Sequence, residues 1–330
     1  MVVTADTTSR TATVVTPRLS AKIDPSGAIT VLIHRGRDLI NGRTGCHYSR
    51  AGRRWAPTEL LVARKPSRAN LAWRGKAGEL HYVFMDDLDG FYSYFVVGDM
   101  AEEQVVEMRT LYRVTPNLFP QTFTMAMGPA RTPPPAHIDV RRAIQDNTFP
   151  TRDGTCYTKY DSCDFLGRDL VHGVFGPQHG LWVIPVSREA YNGGPTKQEL
   201  LVHVEPFKDE MVVLNMLHGS HFGNPPGRLP KGKFYGPWLV YLNDGSWADA
   251  LDRARAEEAS CPYGWVIHEH YPRQRATVTG RLRLANDRST AGTVVVLAEP
   301  LPDGDLSAIV SSYWYSGRCN EDGFFRIPQV

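Results

Sequence analysis

The run Gly154-Thr-Cys-Tyr-Thr-Lys-Tyr-Asp-Ser-Cys-Asp164 opens the segment whose reading decides the fold. It continues through Val171-His-Gly-Val-Phe-Gly176, Gly180-Leu-Trp-Val-Ile-Pro185 and Gly193-Gly-Pro-Thr-Lys-Gln198 to Met216-Leu-His-Gly-Ser-His-Phe-Gly223. Short runs rich in Val, Leu and aromatic residues alternate with Gly and Pro, the pattern of strands separated by turns. Lysine, histidine and tyrosine crowd the turns and strand ends, where a rigid sheet presents side chains to a ligand.

The same rhythm extends on both sides. Leu19–Asp24 and Ala28–His34 flank Pro25-Ser-Gly27 as a hairpin. Further strands are predicted at Glu59–Ala63, Leu71–Arg74, Leu80–Met85, Asp89–Gly98, Val105–Val114 and Thr122–Met127. In Val105–Val114 the period is two: Val106, Met108, Thr110, Tyr112 and Val114 share one face, and Glu107, Arg109 and Arg113 lie opposite. Gly128–Pro135 carries a proline triplet and reads as a surface loop. Gly236–Asn243 is one more strand and feeds a single long helix, with Ser246 as N-cap, Asp249 three residues on, and Trp247, Leu251 and Ala254 on one face.

The expected fold is therefore all-β: a large antiparallel β-sandwich of about ten to fifteen strands over residues 1–273. A small β-domain follows over 274–330, with strands at Arg275–Leu284, Thr293–Ala298, Tyr313–Tyr315 and Phe324–Ile327. The tail stops within a strand-like run, so this second domain is expected to be incomplete.

Composition bounds the function. Lys+Arg 37 against Asp+Glu 35 leaves a net charge of +2, so no overall field points to nucleic acid or to an acidic membrane surface. The N-terminus has no basic region followed by an apolar run, and no segment approaches transmembrane length. Five cysteines occur, Cys46, Cys156, Cys163, Cys261 and Cys319, with no Cys-x-x-Cys pair; Cys156 and Cys163 are close enough to staple the loop around Lys159. His and Cys spacing forms no metal cage, and Gly-rich phosphate loop, Gly-x-Ser-x-Gly and His-Glu-x-x-His motifs are absent. No metal and no cofactor are expected.

Lys159 stands among Tyr157, Tyr160, Asp161 and Asp164; most such lysines are solvated loop residues, and a catalytic one must act as the neutral amine. His218 and His221 bracket Gly219-Ser220 at the end of a predicted strand, where i and i+3 fall on opposite faces unless the chain turns. His203 reads as part of a sheet face. Arg131, Arg141, Arg142 and Arg188 are candidates for gripping a carboxylate. Trp182, Tyr191, Tyr235 and Trp238 read as sugar platforms or, more commonly in a sandwich, as core.

Six motifs then occur together: Tyr157-Thr-Lys-Tyr-Asp161, Val171-His-Gly-Val174, Gly180-Leu-Trp-Val-Ile-Pro185, Gly193-Gly-Pro-Thr-Lys-Gln198, Ser220-His-Phe-Gly223 and Phe234-Tyr-Gly-Pro-Trp-Leu-Val-Tyr-Leu-Asn243. In this order they resemble the rhamnogalacturonan lyases of polysaccharide lyase family 4, strongly from about 154 to 280 and at 317–330 and loosely over the first 150 residues. The resemblance implies a galactose-mutarotase-like supersandwich as catalytic domain, then a fibronectin-III-like domain, and an extracellular, monomeric enzyme acting on pectic polysaccharide. It implies β-elimination at the rhamnose–galacturonate backbone, with Lys159 as base and His221 as acid, His218 being the alternative to His221. Arg131, Tyr157, Tyr160 and His218 are its implied substrate contacts. A galacturonate C5 proton is weakly acidic because the neighbouring carboxylate is negative, so a metal-free lyase needs arginines on that carboxylate and a base at C5. The alternative is a sandwich that binds pectin without cutting it.

Overall fold

A computed structural model describes residues 1–50, 55–100, 107–165, 170–186, 198–219, 229–286, 288–298 and 314–330; of these, 161–165, 198–199, 218–219 and 314 are described by backbone alone. Two nine-stranded antiparallel sheets dominate. The first runs in the order Val2–Asp6, Thr11–Val15, Leu19–Ile23, Ile29–His34, Cys46–Arg50, Glu107–Val114, Glu210–Gly219, Val202–Glu205, with the two-residue Arg37–Asp38 paired beside Ile29–His34. The second runs Gly128–Arg131, Gln121–Thr124, His172–Phe175, Gly180–Ile184, Phe234–Asn243, Gly90–Val97, Gly78–Met85, Arg68–Gly75, Glu59–Lys65. The all-β sandwich is thus the observed fold, with more and shorter strands than the expected ten to fifteen.

One apolar cluster draws from both sheets, including Val14, Ile29, Met108, Tyr112 and Val213 from the first and Trp73, Phe91, Phe95, Tyr235 and Trp238 from the second. The polar interior is also shared, since Trp238 donates its indole N–H to the Tyr112 hydroxyl across the sandwich at 2.6 Å. All eight residues of Gly90–Val97 are buried. Phe91, Phe95 and Val97 face the inter-sheet core, whereas Tyr92, Tyr94 and Val96 belong to a second cluster on the opposite face. That is why this strand reads as a continuous apolar run instead of an alternating one.

The second cluster is roofed by the helix Trp247–Ser260 and the chain that follows it, through Ala250, Ala254, Tyr263, Val266 and Tyr271. Ser246 caps the helix by accepting from the Asp249 backbone N–H at 3.2 Å, as expected. The buried stripe differs from the expected one: it is Ala250, Ala254 and Glu257, while Trp247 is 39% exposed. Small alanines allow close approach to the sheet. Glu257 tolerates burial because Tyr92, Tyr263 and Arg253 all bond its carboxylate.

Two other expectations are corrected. Gly128–Arg131 is a short edge strand paired with Gln121–Thr124, because a sheet edge needs no N–H from Pro129 on its outer side. Cys156 is a free, exposed thiol, so the 156–163 staple is not formed. In the tail, Val278–Arg281 pairs with Phe324–Ile327 and Val294–Ala298 with Trp314–Arg318. Among the described residues no helix is long and apolar enough to cross a membrane, which leaves strand-built barrels unaddressed.

Candidate active site

Lys159 is placed by a small hairpin laid on the edge of the first sheet. Thr148–Pro150 pairs with Cys156–Thr158, setting Phe149 opposite Tyr157, and both rings are buried. Tyr157 is the anchor. Its hydroxyl donates to the Val204 carbonyl at 3.1 Å and accepts the Val204 N–H at 2.6 Å, which occupies the free backbone of the edge strand Val202–Glu205. Lys159 follows in a one-turn 3-10 segment, Lys159–Ser162, with its backbone N–H donating to the Asn147 carbonyl at 3.2 Å. Its Nζ lies 5.0 Å from the centre of the Tyr160 ring, whose hydroxyl donates to Asp146 at 2.5 Å. That bond, the Asn147 amide and the Lys159 charge together hold the Asp146 carboxyl below the usual range.

Beneath the hairpin is the outward face of the first sheet, and register assigns its occupants. One row reads His203, Val212, Arg113; the next reads Leu214, Leu111, His47; the third reads Met216, Arg109, Ser49. Leu111, Val212 and Leu214 form a small buried apolar cluster of their own, closed by Leu200. Basic groups surround that floor. Burial, then the charges of Lys159, Arg113 and Arg109, push His203 down to about 3, and its Nδ1 has no hydrogen-bond partner. Burial likewise lowers His47, helped by Arg113 and Arg109. Five basic side chains from four separate stretches of chain thus gather here in a partly dry setting, where charge interactions are stronger than in water.

The two arginines are held by carboxylates behind them. Arg109 pairs with Glu107 at 2.5 Å, and Arg113 pairs with Glu210 at 2.7 Å. Glu210 also accepts from the Thr44 backbone N–H at 2.8 Å and hydroxyl at 2.6 Å, and these contacts with Arg113 outweigh its burial and keep it ionised. An i, i+4 pair on one strand face points two guanidinium groups the same way. That spacing was visible in the sequence, but a strand's solvent-side arginines look alike until the cover is known.

Of the predicted site residues, Lys159 and Tyr160 lie together here. Tyr157 lies directly beneath them with its hydroxyl committed to Val204. Arg131 is elsewhere: it is exposed on the outermost strand of the second sheet, opposite Gln121. Arg141 and Arg142 are also exposed. His218 belongs to Glu210–Gly219 opposite Met108, but its side chain lies outside the described residues, as does all of His221. Trp182, Tyr235 and Trp238 are core, while Arg188 and Tyr191 fall outside the described residues. His203 is on the sheet face, as its place in the sequence predicts.

Fold and site together define an all-β sandwich that carries a lysine-centred cationic surface on one outer face. The chain is 35% identical over 300 residues to a rhamnogalacturonate lyase of Dickeya dadantii (strain 3937), covering 86% of this chain and 50% of that protein. It is 25% identical over 296 residues to rhamnogalacturonate lyase B of Emericella nidulans, covering 78% of this chain and 43% of that one. A probable rhamnogalacturonate lyase C of the same fungus is 26% identical over 271 residues, covering 72% and 25%. Over most of its length the chain is thus similar to rhamnogalacturonate lyases. It spans half or less of the length of these relatives. No protein-family model matches it. Among solved structures, an alpha-mannosidase from Enterococcus faecalis V583 aligns with TM-score 0.40 and 9% identity over 100% of this chain and 43% of that one. The periplasmic domain of Thermotoga maritima YidC aligns with TM-score 0.37 and 8% identity over 79% and 100%.

Proposed function

We propose that the protein is a rhamnogalacturonan lyase that cleaves the rhamnose–galacturonate backbone of pectic polysaccharide by β-elimination. The observation that supports this most is the meeting of Lys159 with Arg109, Arg113 and His203 over one sheet face, in a chain related to rhamnogalacturonate lyases. In this reading the Lys159 amine takes the C5 proton of a galacturonate. The released electron pair forms the C4–C5 double bond, the C4–O4 bond breaks, and His221 delivers a proton to O4.

The negative charge that builds next to the carboxylate needs cations already in place. Arg109 and Arg113 take that role here in preference to Arg131, which is exposed at the far edge of the other sheet. Tyr160 flanks the sugar beside Lys159, and Tyr157 serves as a positioning residue, its hydroxyl being spent on Val204. Glu210–Gly219 contributes Val212 and Leu214 to the site floor and leads directly to His221. His218 is the alternative acid. Substrate of this kind lies outside cells, so the enzyme's site of action is extracellular.

The test is release of the ultraviolet-absorbing unsaturated galacturonate from rhamnogalacturonan. Lys159→Ala is expected to lose several orders of magnitude in turnover while still binding polymer. Lys159→Arg should be equally inactive because a guanidinium does not give up its proton at working pH. His221→Ala should abolish turnover and His218→Ala should spare most of it. An active Lys159→Arg enzyme refutes the base assignment; polymer binding by the native chain with no unsaturated product makes it a binding module.

A further inference from the structure

On the opposite side of the molecule, the outward face of the second sheet carries a group of side chains that β-elimination does not use. Glu79 and His81 sit two residues apart on Gly78–Met85, so they share a face. His268, in the stretch that follows the helix, comes down over them. One donor atom from each of the three lies within 4.8 Å of the others. His81 Nε2 is 3.1 Å from Glu79 Oε2, and His268 Nε2 is 3.8 Å from the same oxygen. Donors about 2.0–2.2 Å from a tetrahedral zinc ion are separated by roughly 3.3–3.5 Å, so these spacings bracket the required value. The two imidazole rings stand 5.8 Å apart and nearly perpendicular, at 88°, with their edges converging on the carboxylate.

The supporting contacts are those of a metal site. His81 Nδ1 is 3.1 Å from Asn70 Oδ1, and Asn70 Nδ2 donates to the Tyr94 hydroxyl at 3.0 Å. This chain keeps the His81 proton on Nδ1 and turns the Nε2 lone pair toward Glu79. Tyr94 also stacks on the His81 ring at 4.1 Å, which fixes its plane. A lone pair facing a carboxylate oxygen at 3.1 Å requires a proton or a cation between them. Arg74 bonds the other oxygen, Glu79 Oε1, at 2.8 Å, and leaves Oε2 to the site. The His270 backbone N–H donates to His268 Nδ1 at 3.2 Å, a long contact that is given up when Nε2 becomes the ligand and the ring proton moves to Nδ1. His268 also lines an open groove of ≈710 Å³ with Glu269, Tyr271 and Arg273.

We propose that Glu79, His81 and His268 form a zinc site, a clip that fastens the chain after the helix onto the second sheet. Two imidazoles and one carboxylate are a borderline N/O donor set that suits Zn²⁺ over Ca²⁺ or Mg²⁺. The clip joins positions far apart in sequence, and binding to the folded state alone stabilises it. The experiment uses the full chain, freed of metal with chelator and then titrated with Zn²⁺ or Co²⁺. Expected are one Zn²⁺ retained per chain after dialysis, a rise of several degrees in Tm, and the visible absorption of tetrahedral Co²⁺. All three should vanish in Glu79→Gln, which keeps the size of the side chain, and in His268→Ala. Retention of Zn²⁺ by these variants equal to that of the native chain, absence of a Tm shift, or a weak six-coordinate Co²⁺ spectrum would each overturn the assignment. Should His268→Ala fail to fold, Glu79→Gln and the Co²⁺ spectrum of the native chain still decide.

Discussion

His203 shows what a single residue contributes when it is placed under a cationic cover. Its imidazole is buried, Lys159, Arg113 and Arg109 act on it, and it is pushed from its ordinary 6.5 down to about 3. Between those values the unfolded chain binds a proton that the folded chain does not. The associated stability is therefore complete above about pH 6.5 and is lost as pH falls toward about 3. His203→Gln removes this titration. Urea midpoints measured at pH 7 and pH 5 should fall less between the two pH values in His203→Gln than in the native protein. Equal falls would mean that His203 is not held neutral by the site. The same residue illustrates the limit of reading along the chain: its place in a strand is plain from Leu201-Val-His-Val-Glu205, whereas its neighbours Arg113 and Lys159 come from other elements.

Among elements, the hairpin Thr148–Pro150/Cys156–Thr158 links the first sheet most directly to the proposed base. Its tyrosine closes the edge of the first sheet and its end carries Lys159. Tyr157→Phe leaves the Val204 N–H and C=O without their partner in a buried place, at a cost of about 1–3 kcal/mol. It also loosens the support of Lys159, and a misplacement near 1 Å lowers turnover on the order of 10²-fold. Urea unfolding and product release should therefore both be impaired in Tyr157→Phe. A variant with native stability and native turnover would show that the hydroxyl anchors nothing. Tyr-Thr-Lys-Tyr-Asp draws attention in the sequence, but there both tyrosines look equally suited to a sugar. Only the packing separates the one bonded to backbone from the one beside the lysine.

For the whole molecule, the two sheets are registered through their interior as well as joined by apolar area. Trp238 of the second sheet and Tyr112 of the first share a hydrogen bond inside the core. Trp238→Ala should destabilise by about 3–5 kcal/mol, since it leaves a large cavity. Tyr112→Phe should cost about 1–3 kcal/mol by stranding the indole N–H. In a double-mutant cycle followed by urea unfolding the two costs should sum to more than the double variant loses. Strict additivity would mean that the pair does not link the sheets. The outer faces of the same sandwich serve different ends: one is roofed over the Lys159 surface, and the other by the helix and the chain that brings His268 to Glu79 and His81.

What the sequence determined by itself is the class of fold, most of its strands, the helix with its cap, and the likeness to rhamnogalacturonate lyases. These rest on local rules: alternation with period two, Gly and Pro at turns, and contiguous motifs such as Tyr157-Thr-Lys-Tyr-Asp161. Tertiary structure decided which face each strand covers and what lies across from it. Arg131 was singled out as a carboxylate ligand while Arg109 and Arg113 read only as the charged face of a strand, because charge and spacing do not reveal that the first lies at an exposed sheet edge and the others act, with Lys159, on His203. Trp247 seemed to lead the buried stripe of its helix, but close contact with a sheet selects Ala250 and Ala254. The Glu79, His81 and His268 cluster had no spacing to betray it, since its third member reaches the sheet only after the chain has built the sandwich and turned back across it.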